Sequence, residues 1–433
     1  MSLLTRRTSL EATAALVAAV AYVLVHLTGI PIDPDGWAAW QGAVSIVTGQ
    51  GFTYFSGNPV TAWPPLYSTY LAAWTWLLGP TGWSLLAGNG VLMVVQAVLW
   101  MRLALALTAA PAGDNPPALP AFVLAAFLGI FIPLHQRDVF CQNLVYLLLP
   151  AYLEAVWRQV RRPDSDFASE FASGFGALHL GLIGVLGGLL WLTHNTAVVF
   201  IAAAAFVVWV RRPLSVRSIV GAAFIVVLPG LMWLLLRLAL GQGQSHRIGF
   251  GAGTYGPVEY LGQLIVGIGR MFAPDRAGLP WMTAIVLITL VVLVARRPNA
   301  TGLRFGALTT LVATACLVLL FSMVAVTSPL TTLRQILFIG LILLPLCALT
   351  AGAAHPRIVT AVLVVLALPQ LYWAGLYATG RQFDSRPLAN GGHPTEWLVP
   401  ARAYISRDYR SGPPVETPKG LLIAPIAFEE GRR

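Results

Sequence analysis

Asp33-Pro34-Asp35-Gly36-Trp37-Ala38-Ala39-Trp40-Gln41-Gly42-Ala43-Val44-Ser45-Ile46-Val47-Thr48-Gly49-Gln50-Gly51-Phe52 opens a stretch, residues 31–65, that holds two acids and three tryptophans but no lysine or arginine. Trp37, Trp40, Val44 and Val47 recur at helical spacing, which predicts a helix over 36–48 lying on a membrane surface. Gly49-Gln50-Gly51 is the stop signal of that helix. Asp35 stands where an N-cap is expected. Immediately before the acids runs an apolar stretch, about 10–30, preceded by Arg6 and Arg7 with no small-residue cleavage site after it, so it reads as a first membrane helix. An acid held at headgroup level is costly unless it is paired or put to use. Asp33 and Asp35 are therefore the first candidates for chemistry.

Composition supports the membrane reading. Of 433 residues, 57% are hydrophobic and 10% charged, with a mean hydropathy of +0.74. Soluble domains are about a quarter charged, which excludes a water-soluble enzyme or a secreted disulfide scaffold. The net charge of +10 rests almost wholly on arginine, Lys419 being the one lysine. Loops on the cytoplasmic side of membrane proteins collect arginine, so the charge calls for no nucleic-acid partner. Cys141, Cys316 and Cys347 lie within apolar segments without metal-ligand spacing and read as small buried hydrophobes.

The arginines set the topology. Three clusters (Arg158, Arg161 and Arg162; Arg211, Arg212 and Arg217; Arg296, Arg297 and Arg304) fall, with the N-terminus, on the cytoplasmic side. That places 31–65, the joint Thr193-His194-Asn195, 241–280, 326–333 and everything after 377 outside. Four apolar runs lie between residue 65 and Arg158, where an odd number of crossings is needed. The shortest, 66–79, is taken as an interfacial or half-membrane helix, giving about eleven spans in an all-α polytopic protein. Residues 1–377 form the membrane domain. Residues 378–433 form a small solvated tail on the outer face, carrying 14 of the chain's 44 charged residues, with a short helix expected over 394–406 and a strand over 421–428. The expected location is the plasma (inner) membrane, N-terminus cytoplasmic and C-terminus extracytoplasmic.

The acid-led helix, the Gly49-Gln50-Gly51-Phe52 turn, Gly57-Asn58-Pro59 and then Trp63-Pro64-Pro65-Leu66-Tyr67 together resemble the first outer loop of the GT-C superfamily. These are membrane glycosyltransferases that use polyprenyl-phosphate-linked sugars, and the protein O-mannosyltransferase and aminoarabinose-transferase branch is the most similar. Three further matches keep the family's order. His135-Gln136-Arg137-Asp138 sits where the family carries a second acidic or polar motif. Gly187-Gly188-Leu189-Leu190-Trp191-Leu192-Thr193-His194 resembles a Gly-rich helix ending in Thr-Arg. Thr332-Leu333-Arg334-Gln335-Ile336-Leu337 resembles an Arg-Tyr-Leu segment opening a late helix. The chain departs from the pattern at His194, at Gln335 and at Cys141-Gln142-Asn143, where relatives often show Ser-Glu.

The resemblance implies a GT-C-like fold and sugar transfer from a polyprenyl-phosphate donor to a glycan, lipid or protein acceptor on the extracytoplasmic face. Such transfer needs a carboxylate at the acceptor hydroxyl and cations at the leaving phosphate. Asp35, Asp33 and Asp138 are the candidate catalytic acids, and Arg334, Arg137 and His194 the candidate phosphate contacts. Trp63, Tyr67, Gln142 and Asn143 are candidates for substrate binding. A divalent ion, Mg or Mn, is a candidate cofactor, with Asp35 as its ligand. For Asp138 a salt bridge to Arg137 stands beside a catalytic role. Two other functions remain open: a lipid or glycolipid transporter or flippase, against which the absence of an inverted repeat speaks, and a non-catalytic partner subunit.

Overall fold

A computed structural model describes residues 3–27, 29–32, 34–54, 57, 60, 64–108, 118–161, 175–211, 216–239, 258, 259, 262, 301–323, 333–379, 397–399, 415–416 and 422–423. Among them the chain is a helix bundle. Its elements are α1 (Leu3–Val25), β1 (Ile30–Ile32), α2 (Pro34–Val47), α3 (Leu66–Leu78), α4 (Gly82–Thr108), α5 (Ala118–His135), α6 (Gln142–Arg161), α7 (Phe175–Thr193), α8 (Val198–Arg211), α9 (Val216–Ala239), α10 (Thr301–Met323), α11 (Leu333–Gly352) and α12 (Pro356–Ala378). A single 3-10 turn, Asn195–Ala197, joins α7 to α8. Five helices (α1, α4, α5, α10 and α12) are long and apolar enough to cross a membrane, and α7, α8, α9 and α11 carry shorter apolar stretches.

Inter-helix bonds fix the up-and-down order. The Tyr22 hydroxyl near the end of α1 donates to the Leu86 carbonyl near the start of α4, at 2.8 Å. Gln96 donates to Asn143 O at 2.7 Å, Trp100 Nε1 to Tyr146 O at 3.0 Å and Trp157 Nε1 to Ala106 O at 3.3 Å, so α4 and α6 run parallel. With no hydrophobic drive between helices in lipid, close approach and such bonds hold the bundle. Gly129 lets α5 meet Ala14 and Val17 of α1, and Gly302 at the start of α10 lies on the Leu107 carbonyl of α4. One end of the bundle thus gathers the end of α1, α2, the α5–α6 and α7–α8 joints, the start of α11 and the end of α12.

α3, 13 residues long, packs between α2 and the start of α4 and is shorter than the helices long enough to cross a membrane. The predicted surface helix is α2, and it closes at Gly49 and Gly51, whose φ angles of +76° and +73° suit glycine. Phe52 then folds back so that its ring fills the space beside Gly42.

Four expectations shift. α1 ends at Val25 rather than near residue 30, and Ile30–Ile32 is a strand. α2 begins at Pro34, so Asp35 is the second residue of the helix rather than its cap; proline with its fixed φ suits a first helical position. The short helix expected over 394–406 is instead a strand at Trp397–Val399, paired antiparallel with β1 in the register Ile30↔Val399, Pro31↔Leu398 and Ile32↔Trp397. The free edge of β1 and the β-favouring Trp-Leu-Val sequence override the helical pattern. The expected strand over 421–428 shortens to Leu422–Ile423, paired with Val415–Glu416. The expected span over 281–295 lies outside the described residues.

Candidate active site

The α5–α6 joint, residues 136–141, is the hub of the gathered end. Its backbone is pinned on three sides. Val139 N–H donates to the Pro31 carbonyl at 2.9 Å, and Ile32 and Val139 form a parallel bridge. The Asn143 amide donates to the carbonyls of Asp138 (2.7 Å) and Gln136 (3.3 Å). His26, in the turn after α1, faces the Arg137 carbonyl through Nε2 at 2.8 Å and the Tyr22 carbonyl through Nδ1 at 2.8 Å. Buried carbonyls satisfied in this way hold a loop to one conformation.

Gly36 links this loop to the acid-bearing helix. A Cβ at residue 36 would collide with the Val139 carbonyl oxygen, so only glycine lets the first turn of α2 seat there. Asp35 and Asp138 are thereby adjacent in sequence to two residues in contact, although they lie 103 positions apart (138 − 35). The side chain of Asp35, all of Asp33 and all of Trp63 lie outside the described residues.

Arg137 and Asp138 are both largely buried, and they pair: Nε lies 3.4 Å from Asp138 Oδ1. The Arg137 guanidinium also sits over the Tyr377 ring at the end of α12, 4.5 Å from its centroid, which orients a planar cation well. The salt bridge anticipated as one reading of Asp138 is present.

His194 lies 3% exposed between α7 and the 3-10 turn, its ring 6.2 Å from that of Phe140 in the hub. The Thr196 N–H donates to Nδ1 at 3.1 Å, and the Thr196 hydroxyl lies 2.6 Å from the same atom. A ring nitrogen that accepts an N–H is unprotonated, so Nε2 carries the proton of the neutral ring. Burial pulls the pKa down to about 4. With Nδ1 accepting and burial disfavouring the charged form, the ring presents its Nε2–H as a donor. Burial likewise lowers His26, opposed by its two carbonyl partners and by Asp138.

Arg334 is the second residue of α11; its side chain lies outside the described residues. One turn on, Phe338 meets Phe200 of α8 at 4.9 Å, which brings the start of α11 beside the α7–α8 joint. Tyr67 and Asn143 converge elsewhere, on Asn89 of α4, at 3.0 and 3.1 Å. That buried triad ties α3, α4 and α6 together and, through Asn143, positions the hub. Gln142, the first residue of α6, is 4% exposed, and its Oε1 is buried without a hydrogen-bond partner. Sequence reasoning missed His26 and Tyr377. Each is a lone polar residue at the end of a span, and only the fold shows that both grip Arg137.

The acid-led helix α2 thus docks on the α5–α6 joint at one end of a bundle of apolar helices. The crystal structure of ArnT from Cupriavidus metallidurans in the apo state matches 88% of this chain and 79% of that one, with a TM-score of 0.54 at 12% sequence identity. ArnT is an aminoarabinose transferase of the GT-C fold, so the fold expected from the first loop is the fold the chain has. No family model matches the chain, and no curated protein matches it by sequence.

Proposed function

We propose that this protein is a membrane glycosyltransferase that moves a hexosyl or pentosyl group from a polyprenyl-phosphate-linked donor to a glycan, lipid or protein acceptor on the extracytoplasmic face. The supporting observation is the docking of Gly36 on Val139, which brings the acid of the first loop and the Arg137–Asp138 loop together at one end of a GT-C bundle. The arginine distribution assigns that end to the outside.

In this reading the acceptor hydroxyl gives its proton to the Asp35 carboxylate as its oxygen bonds to the anomeric carbon. The bond from that carbon to the phosphate oxygen breaks with its electron pair, and the leaving polyprenyl phosphate carries the charge. Arg334 holds that phosphate by a two-pronged contact, aided by the first-turn N–H groups of α11. Arg137 and the His194 Nε2–H lie on the hub side of the phosphate. The Asp138 carboxylate orients Arg137. Tyr67 and Gln142 lie toward the same end, with Asn143 positioning the hub, and Asp33 and Trp63 are proposed to join them. Among the described residues no three His, Cys, Asp or Glu side chains come together, and each step above runs through groups of the chain itself; a Mg or Mn ion would find its ligand in Asp35.

Purified protein in nanodiscs, given a panel of polyprenyl-phosphate sugars and cell-envelope acceptors, should release free polyprenyl phosphate with one of them. Asp35→Asn keeps shape and folding and should abolish release. Turnover of no donor, or full turnover in the Asn variant, would overturn the proposal or remove Asp35 from it.

A further inference from the structure

At the far end of the bundle, opposite the hub, a second charged cluster lies outside the site just described. Glu154 of α6 is buried at 7% exposure. It meets two guanidinium groups: Arg158 Nη2 at 2.5 Å and Arg102 Nε of α4 at 3.2 Å. One carboxylate thus faces two cations, both substantially exposed. Arg161 adds a third, lying over the Trp157 ring at 5.5 Å from its centroid. Trp157 packs on Phe305 of α10 at 5.0 Å, and Arg304 is exposed on the same turn. The corner formed by α4, α6 and α10 carries four arginines against one glutamate.

Depth makes the imbalance informative. Arg102 lies six residues inside the end of α4 at Thr108, about 9 Å at 1.5 Å per residue. A guanidinium at that depth is costly unless it pairs or reaches the headgroups. It meets Glu154 through Nε at 3.2 Å, and its side chain is 41% exposed. A guanidinium exposed in this way can take phosphate oxygens with its fork, and Arg158 and Arg161 sit one to two turns nearer the helix end to complete the cradle.

We infer that this corner binds the phosphate of an anionic phospholipid in the leaflet opposite the hub. Carbonyl or zwitterionic headgroups satisfy the fork less well, because the excess charge of the cluster is left unmatched. The occupant is a lipid rather than a soluble phosphate: the fork opens at hydrocarbon depth on the rim of the bundle, where a lipid phosphate is held by its own acyl chains.

The test uses the full chain in phosphatidylcholine nanodiscs titrated with fluorescent phosphatidylglycerol. Wild type should bind it saturably, and Arg102→Gln and Arg158→Gln should each weaken binding about tenfold, the scale of a lost charge-assisted pair. Glu154→Gln removes the competing carboxylate and should tighten binding, a direction that simple structural damage does not produce. Arg357→Gln, an exposed arginine at the start of α12, should change nothing. Equal binding in phosphatidylcholine alone, or an equal loss in Arg357→Gln, would overturn the site in favour of a general surface field. Displacement of the lipid by millimolar glycerol phosphate would overturn the lipid assignment in favour of a soluble phosphate. Should Arg102→Gln fail to fold, Arg102→Lys, which keeps the charge but not the fork, must still weaken binding for the inference to stand.

Discussion

Acid should unfold this protein through His194. The imidazole is 3% exposed, and burial holds its pKa at about 4 against an ordinary 6.5. A depressed histidine pKa means that the folded state prefers the neutral ring while the unfolded chain binds the proton. Stability from this group is therefore complete above pH 6.5, falls as pH drops through 6.5, and is gone below about 4. The gap between 6.5 and about 4, at about 1.4 kcal/mol per pH unit, amounts to about 3 kcal/mol. His194→Asn isolates it. Asn is a good cap whose Oδ1 can accept the Thr196 N–H in place of Nδ1, and it does not titrate. Thermal unfolding in detergent, followed from pH 8 to pH 4, should show a constant offset between wild type and variant down to pH 6.5. Below that, the wild-type midpoint should fall faster than that of the variant. Parallel curves across the whole range would refute both the neutral assignment and the burial argument behind it.

Three other perturbations bear on the site. Gly36→Ala sets a Cβ against the Val139 carbonyl and must push α2 off the hub; overpacking of this kind costs about 1–3 kcal/mol, and donor turnover should fall well beyond what the stability loss accounts for when both are measured on one preparation. Arg334→Lys keeps charge but not the fork, so its donor KM should rise clearly and that of Arg334→Ala further, whereas equal donor affinity in all three proteins would reduce Arg334 to a headgroup anchor. Cysteines placed at Asn58 and Ser411 should react with an impermeant maleimide on intact cells, and protection of both until the membrane is permeabilised would invert the topology.

Much of this architecture is legible from the sequence because a membrane restricts the choices. Apolar length gives the long helices, and the short run at 66–79 reads as a helix too short to span, as the 13-residue α3 is. Local signals also hold where they are strong, as at Gly49-Gln50-Gly51, where two left-handed glycines end α2. What the sequence conceals is pairing between distant segments. Trp397–Val399 favours a strand only weakly by its own residues, and pairing with Ile30–Ile32 decides its structure. Tyr67 and Asn143 look like substrate contacts because they flank the motifs, yet both turn to Asn89, a residue with no local signature. His194 reads as a cation from its neighbours in sequence and becomes neutral only through burial, which no spacing encodes.

Taken together, the charge states divide the work at the hub end. Arg137 enters any reaction already paired with Asp138 and stacked on Tyr377, so an arriving phosphate shares it with a carboxylate 3.4 Å away. Its net pull on an anion is correspondingly small, and its better use is directional, fixing where donors point. His194 offers a neutral N–H, which contributes a hydrogen bond without long-range attraction. Neither group can neutralise a departing phosphate alone. In the proposed reaction that demand falls on Arg334, the second residue of α11, where first-turn N–H groups would add to its charge. Under the proposed function, Asp35 of α2, the paired Arg137 and the neutral His194 of the hub, and Arg334 of α11 would set a charge gradient that draws negative charge from the Asp35 carboxylate toward the departing phosphate, the direction that transfer to an acceptor requires.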